Sequence, residues 1–338
     1  MPWVVLKHRK RARRSAHLVG WLAALLLFGP TAQAKSQKSS TLGKLQRALP
    51  ASTSAIISVP VPANLRESLA MLLPPERPVD SLLDRLSRLS VERTGLDLTS
   101  TEVAALFITA RGAYGVLLLG DLGSTGLKGG DRRVAGHSAI SLSPTWFLAK
   151  INGVVALAPR AGIEALSRVA RGDGHKLLGT KRLQVFRQAS SSLPPDQIAF
   201  VALGAWLLPK LSPQVEASVA KGLSVVYGSY RGGHVVMHAS GRADSLRYLG
   251  GLAEEGVGIL RLQQEMLKES QKRSKDVHER VSDAVVVEVL AGVAQSVKLK
   301  RGEERMELRF SLPAGLSSSL TSVALPWLLG NRLPIPAP

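Results

Sequence analysis

Two histidines four positions apart, His234 and His238, come closest to a metal-ligand pattern in this sequence. On a helix this spacing would place both imidazoles on one face, where they could hold an ion. The residues between them, Val235-Val236-Met237, instead predict a β-strand. Along a strand the two side chains share a face but lie about 13 Å apart, which is too far for one ion. We therefore predict structural histidines here, and no metal or other cofactor.

A serine three positions before a lysine, Ser218 and Lys221, matches the Ser-x-x-Lys motif of penicillin-binding enzymes. The companion motifs Ser-Asp-Asn and Lys-Thr-Gly are missing, as is a Gly-x-Ser-x-Gly nucleophile elbow. Acidic residues are scattered, and the lack of cysteine excludes disulfides, thiolate metal sites and cysteine nucleophiles. No catalytic motif is present. An envelope hydrolase or glycan-processing enzyme, whose carboxylates meet only in the fold, stays open as an alternative.

The strongest candidate for an interaction surface is a basic hairpin near the end of the sequence. Residues 297–300 and 306–310 alternate between apolar and polar side chains around Gly302, which predicts two antiparallel strands with one apolar face. The opposite face carries Lys298, Lys300, Arg305, Glu307 and Arg309. Such a face could bind an anionic polymer or lipid headgroup. The simpler interpretation is that outward strand faces are polar anyway and that lysine protects sheet edges from aggregation.

A glycine-rich basic segment at residues 126–133 could extend this surface. Exposed backbone amides between glycines can bind an anion, and the segment carries three basic side chains. It lacks the Gly-Lys-Ser/Thr ending of a nucleotide-binding loop, so a connection between structural elements is the simpler interpretation. The candidate anion-binding residues are therefore Lys298, Lys300, Arg305, Arg309, Lys128, Arg132 and Arg133.

The first 34 residues follow the order of a bacterial secretory signal peptide. A basic run between Lys7 and Arg14 precedes the apolar segment 18–28, and the small-residue triplet Ala32-Gln33-Ala34 follows. We predict cleavage after Ala34 and a periplasmic or secreted protein. The alternative is an uncleaved protein anchored in the inner membrane and facing the periplasm.

Charge and composition restrict the partners. The net charge is +19 for the whole sequence and +13 without the six basic residues of the signal peptide, and it is spread evenly. This excess favours an anionic envelope lipid or glycan, or another envelope protein, as partner. Nucleic acid is disfavoured because export removes the usual target and the aromatic residues that stack on bases make up only 4% of the chain. With 45% apolar residues, the chain should fold around a core.

Three local patterns occur twice in the same order, which predicts an internal duplication. The pairs are the strands at 54–59 and 198–203 after a Leu-Pro dipeptide, the Arg-Gly hairpin turns at Gly112 and Gly232, and the strands at 154–157 and 308–310 before Ala-Gly and a helix. Their offsets are 144, 120 and 153 residues. The alternative is that strand–turn–strand patterns simply recur in any α+β protein.

Tight turns between strands, with long helices elsewhere, predict an α+β fold with a mostly antiparallel sheet, because parallel strands would need crossovers. We expect two divergent copies of one sheet-plus-helices unit, packed as one pseudo-symmetric body. Apolar spacing predicts helices at 63–73, 79–93 and 244–267, the last capped by Asp244 or Ser245, whereas residues 283–290 fit a helix or a strand. The expected domains are a signal peptide 1–34, a flexible leader 35–42, a first repeat 43–178, a second repeat 179–325 and a proline-rich tail 326–338.

This arrangement resembles uncharacterised exported bacterial proteins built from two α+β copies, each of which opens with a Leu-Pro dipeptide shortly before a strand. Leu49-Pro50 with Ala55, and Leu193-Pro194 with Ala199, carry the similarity, which would extend over most of residues 42–323. The resemblance implies no catalytic or ligand-binding residues. The expected function is therefore that of a non-enzymatic cell-envelope protein, which acts through its surface as a binding or assembly factor.

Overall fold

In the part of the chain that the computed structural model describes, twelve strands form one antiparallel sheet with helices packed on both faces. The described residues are 45, 47–61, 79–123, 127–128, 130, 132–142, 145–191, 193, 197–273 and 277–312. The predicted α+β fold with a mostly antiparallel sheet is confirmed. The signal peptide, the leader, the helix expected at 63–73 and the proline-rich tail lie outside the described residues.

The strands are β1 Thr53–Pro60, β2 Thr101–Thr109, β3 Tyr114–Gly120, β4 Arg132–Val134, β5 His137–Ser141, β6 Trp146–Ile151, β7 Val154–Pro159, β8 Ile198–Leu203, β9 Leu223–Arg231, β10 His234–Gly241, β11 Lys298–Arg301 and β12 Arg305–Ser311. The helices are α1 Val79–Thr94, α2 Arg160–Arg171, α3 Lys181–Ser191, α4 Gly204–Leu211, α5 Ala217–Gly222, α6 Ala243–Arg273 and α7 Val277–Ser296, with a short 3₁₀ turn at Leu98–Ser100.

The strand order across the sheet is β11-β12-β10-β9-β8-β1-β2-β3-β7-β6-β5-β4. Strands β1 and β8 therefore join two halves, which we call the first half (residues 45–171) and the second half (residues 181–312). Opposite residues on paired strands share a face of the sheet. Ile56 lies opposite both Val201 and Phe107, and this side is named the front face. Ile57 lies opposite Phe200 on the back face.

The front face of the first half is the largest apolar core of the described chain. Phe107 is fully buried there, under Ile163 of α2 and Phe186 of α3. Helix α2 packs across β3, β6 and β7, while α3 packs on β8 and β9. Burial of such side chains contributes about 1.5–3 kcal/mol each, so this face is a main source of stability.

The back face of the second half is covered by a different set of helices. The buried strand residues Val226, Ala239 and Met306 pack with Leu208 of α4 and Leu246 of α6. Only the beginning of α6 takes part, because its buried residues all lie between Ser245 and Gly250. The second half therefore has its own core on the back face. Its front face is apolar where α3 packs on β8 and β9, and mostly polar on β10, β12 and β11.

Two glycines of the first half are required by geometry. The turn between β6 and β7 is Asn152-Gly153, and both residues have positive φ, 53° and 75°. This is the turn that two-residue hairpins favour, because its twist matches that of the strands. Gly162 in α2 lies against β3, where a Cβ would stand 2.1 Å from the carbonyl oxygen of Tyr114. A larger residue would push α2 away from the sheet.

Several local predictions need correction or refinement. Helix α6 begins at Ala243, so Asp244 and Ser245 lie in its first turn and are not the N-cap. Residues 283–290 belong to helix α7, which packs along α6. Arg132 and Arg133 lie in strand β4, not in a loop, since they pair with β5. The predicted hairpin around Gly302 is present as β11 and β12.

Candidate anion-binding face

The four basic residues predicted for the terminal hairpin share one exposed surface, which we call the basic face. Lys298 and Lys300 project from β11, the edge strand, and Arg305 and Arg309 project from β12. The strand register places all four on the front face. Lys300 pairs with Glu307, Glu307 with His238 and His238 with Tyr227. Tyr227 in turn pairs with Val201, which is on the front face. All four basic side chains are exposed.

Like charges face each other at one end of this surface. Lys298 lies directly opposite Arg309 on the neighbouring strand. Such a pair brings the two Cβ atoms to about 4.5–5.5 Å and destabilises the sheet when the charges are alike. Arg309 turns its guanidinium toward Glu307, with nitrogen–oxygen distances of 2.7 and 3.1 Å. Lys298 forms no ion pair with any described residue of opposite charge.

Glu307 lies at the centre of the basic face. The hydrogen bond from Arg309 lowers the pKa of its carboxyl group; burial opposes this, and the charges of His238 and Lys300 lower it further. The carboxylate is thus ionised at neutral pH and neutralises one of the surrounding cations. His238 approaches it at 3.8 Å and stacks on the Tyr227 ring, with the ring centroids 5.1 Å apart. Three basic side chains, Arg309, His238 and Lys300, therefore act on one carboxylate.

A groove of about 830 Å³ runs beside the basic face, between α3 and the ends of β9, β10 and β12. Its polar lining consists of the Ser224, Tyr227 and Ser240 hydroxyls and the Gln188 amide. Arg305 belongs to both the groove and the basic face. The other charged residues that line it are Arg242, Glu303 and Glu304.

Arg242 is held in place at the floor of this groove. Its guanidinium donates to the Ser218 carbonyl at 3.0 Å and to the Asp244 carboxylate at 2.8 Å. Burial would raise the pKa of Asp244, but the hydrogen bond from the Ser245 amide and the Arg242 charge lower it overall. The pair therefore stays ionised and fixes the start of α6 against α5.

The basic residues of the glycine-rich segment lie far from the terminal hairpin. Arg132 and Arg133 are in β4, which is the opposite edge strand of the sheet. Eleven strand-to-strand steps separate β4 from β11, or about 50 Å along the sheet. The Lys128 amide donates to the Thr94 carbonyl at the end of α1. The seven candidate residues thus form two separate groups, and only the hairpin group adjoins the groove.

The other sequence candidates do not converge on a reactive site. Ser218 lies in α5, and its hydroxyl contacts the Glu216 carboxylate at 3.4 Å, not the Lys221 amine. His234 and His238 both lie in β10, as predicted, and the His234 ring contacts the Ser311 hydroxyl at 2.9 Å. Among the described residues, no group of three or more His, Cys, Asp or Glu could hold a metal ion.

Sequence reasoning missed the groove because its walls come from separate parts of the chain. Helix α3 supplies Gln188, strand β9 supplies Tyr227 and the turn after β11 supplies Glu303. Alternation with apolar residues places His238 and Glu307 on the polar face of their strands, but neither residue lines the groove. Their pairing required knowledge that β12 lies beside β10.

Comparisons with known proteins identify no relative. Neither a protein-family model, nor a curated protein, nor a solved structure matches the chain. Within the described ranges, no helix is both long and apolar enough to cross a membrane.

Proposed function

We propose that this chain is a non-enzymatic binding protein of the bacterial cell envelope, which holds anionic groups of an envelope lipid or glycan on its basic face. The observation that carries the proposal is the direct opposition of Lys298 and Arg309 on neighbouring strands. This arrangement costs stability in the free protein, because the two like charges repel. A phosphate or carboxylate seated between them would offset the repulsion.

The surroundings of this pair support a binding role. Glu307 orients the Arg309 guanidinium through two short contacts, so that side chain is partly fixed before a ligand arrives. Lower conformational freedom in the unbound state reduces the entropy lost on binding. The groove next to Arg305 offers hydroxyl and amide groups, which suit the uncharged parts of a glycan or headgroup.

Export and internal duplication are part of the same proposal. The basic and apolar pattern of residues 1–34 supports secretion. N-terminal sequencing of protein purified from cell fractions tests this, because a start at Lys35 indicates a cleaved signal peptide. An intact N-terminus in the membrane fraction would instead favour the anchored alternative.

Binding is tested by replacing Lys298, Lys300, Arg305 and Arg309 together with glutamine. We expect the variant to lose most binding to vesicles of equimolar phosphatidylglycerol and phosphatidylcholine, or to soluble polygalacturonate, and to keep its fold because the four side chains are exposed. The two probes separate a lipid from a glycan ligand. Binding by the parent should weaken steeply with salt, since exposed charges are screened beyond about 10 Å at 0.1 M ionic strength.

A matched control removes the same charge from exposed residues outside the basic face. Glutamine at Arg111, Lys128, Arg132 and Arg133 changes the net charge by the same amount, and the control should bind like the parent. Equal losses in both variants would mean that binding follows net charge and not the basic face. Unchanged binding by the hairpin variant would contradict the proposal.

A further inference from the structure

Helix α6 has two apolar sides, and the described part of the protein covers only one of them. The half-buried residues Ala253, Val257 and Leu260 lie on one side, and helix α7 packs along α6. On the opposite side, Ile259, Leu262 and Met266 are 49%, 62% and 65% exposed. Soluble helices normally carry one apolar stripe, and a helix that is apolar on two sides is normally buried on both.

The three exposed residues form a continuous stripe. Their spacings of three and four positions keep them within about 60° of one another around the helix axis. The stripe lies beyond the segment that packs on the sheet, because the buried residues of α6 end at Gly250. No described element packs on this side, and a Cβ added at Gly258 would meet no atom within 4 Å. A second helix could therefore approach the backbone closely.

The charges beside the stripe indicate which partner fits it. Lys268 pairs with Glu265 at 2.9 Å, and Lys272 pairs with Glu269 at 3.3 Å. These pairs leave no strong excess of one sign, so the stripe does not match an anionic membrane surface. An apolar stripe flanked by both signs of charge is typical of a helix that pairs with another helix.

We propose that α6 pairs antiparallel with the α6 helix of a second copy of this chain, about a two-fold axis at the level of Gln264. This alignment sets Leu262 opposite Met266 of the second copy, in both directions, as a two-fold interface requires. It also sets Glu255 opposite Arg273, which pairs with Glu269 of its own helix at 3.4 Å. Both Glu255 and Arg273 are exposed and free to turn toward the second copy. The contact segment from 255 to 273 is about 27 Å long.

The first test measures the mass of the purified protein by sedimentation equilibrium. The parent should be a dimer, and the double variant Leu262→Glu with Met266→Glu should be a monomer at the same concentration, because it buries like charges opposite each other. The control variant Arg261→Gln with Gln263→Glu lowers the net charge equally beside the stripe and should stay dimeric. A parent that is monomeric up to concentrations on the order of 100 µM would overturn the proposal, as would a dimer that persists in the glutamate variant.

A second test uses exposed residues only, so that misfolding cannot explain the result. Glu255→Arg should weaken the dimer because it opposes Arg273 of the second copy, and Arg273→Glu should weaken it in the same way. The two changes combined should restore dimerisation. Failure of the combined variant to recover would refute the antiparallel alignment. Neither test depends on the ligand proposed above, so a monomer that still binds vesicles would count against this inference alone.

Discussion

The two halves of the sheet share the order of five strands, but the outer strands of the second half carry different residues on their front face. Counted outward from the centre, the first half runs β1-β2-β3-β7-β6 and the second half runs β8-β9-β10-β12-β11. Both halves are antiparallel throughout. In the first half the front face is apolar and covered by α2, and this core continues under α3 onto β8 and β9. On the outer strands β10, β12 and β11 of the second half the front face is mostly polar and carries the basic face. Strand order can thus stay constant while one face changes from core to surface.

The halves differ most in the connection between their third and fourth strands. The first half inserts the short hairpin β4–β5 there, and the second half inserts the long helical hairpin α6–α7. The beginning of α6 and helix α4 cover the back face, so the outer strands of the second half do not need their front face for burial. The front face of the second half is thereby free for polar residues such as His238 and Glu307.

The internal duplication remains a prediction, and the strand register makes that prediction more specific. The 120-residue offset matches Phe107 with Tyr227, and both lie on the front face. The 144-residue offset matches Ile56 with Phe200, which lie on opposite faces because Ile56 pairs with Val201. The irregularity between Thr53 and Ala55 in β1 is the place where a one-residue shift can enter. Superposition of residues 43–170 on 181–323 tests whether these strands are equivalent.

The largest expected difference between the halves concerns the matched aromatic residues. Phe107→Ala should lower the free energy of unfolding by about 3–5 kcal/mol, because this ring is fully buried. Tyr227→Ala should cost only about 1–2 kcal/mol, since the Tyr227 ring is half-buried and stacks on His238. Urea unfolding of both variants measures the two losses. Equal losses would mean that the front face of the second half is as much a core as that of the first.

The Arg-Gly turns should respond alike in both halves. Gly112 and Gly232 have φ of 82° and 55°, and nothing lies within 4 Å of a Cβ built on either. Alanine at either position should therefore cost about 1–2 kcal/mol from backbone strain alone. Thermal unfolding of the two single variants provides the comparison. A clearly larger loss in one half would show that the turns are not equivalent.

The smallest expected difference between the halves concerns the stability contributed by two carboxyl groups whose pKa is lowered. Burial would raise the pKa of Asp97, but hydrogen bonds from Ser100 and Thr99 lower it overall. The pKa of Glu307 is lowered mainly by the hydrogen bond from Arg309. Both groups stabilise the fold above their unfolded pKa, near 3.8 and 4.5, and this stability is lost as pH falls through the lower folded values. Each contribution should be below about 1 kcal/mol.

Salt separates these two contributions. The stabilisation by Glu307 comes from charged partners and should shrink at high salt, whereas that by Asp97 comes from neutral hydroxyl donors and should persist. Urea midpoints of Glu307→Gln and Asp97→Asn, compared with the parent across acidic pH at low and high salt, measure this. A salt-insensitive Glu307 contribution would argue against its role among the cations of the basic face.

Local pattern was enough to predict much of the secondary structure. Strict alternation around Gly302 predicted β11 and β12, and apolar spacing predicted α1 and most of α6, because these periods are properties of the isolated strand and helix. It also predicted that Lys298, Lys300, Arg305 and Arg309 share a face. The Asn152-Gly153 turn is an equally local signal for a hairpin, yet the hairpin β6–β7 was not predicted from it.

Local sequence patterns therefore predicted the α+β class, the strands at 54–59 and 198–203, and the faces of the terminal hairpin. Tertiary structure alone decided the strand order, which places Arg132 and Arg133 at the edge farthest from Lys298. It also decided that 283–290 is helical and that Gln188 and Ser240 line one groove. The physical reason is that periodicity fixes which way a side chain points within its own element, whereas the neighbours of that element depend on burial summed over the whole chain.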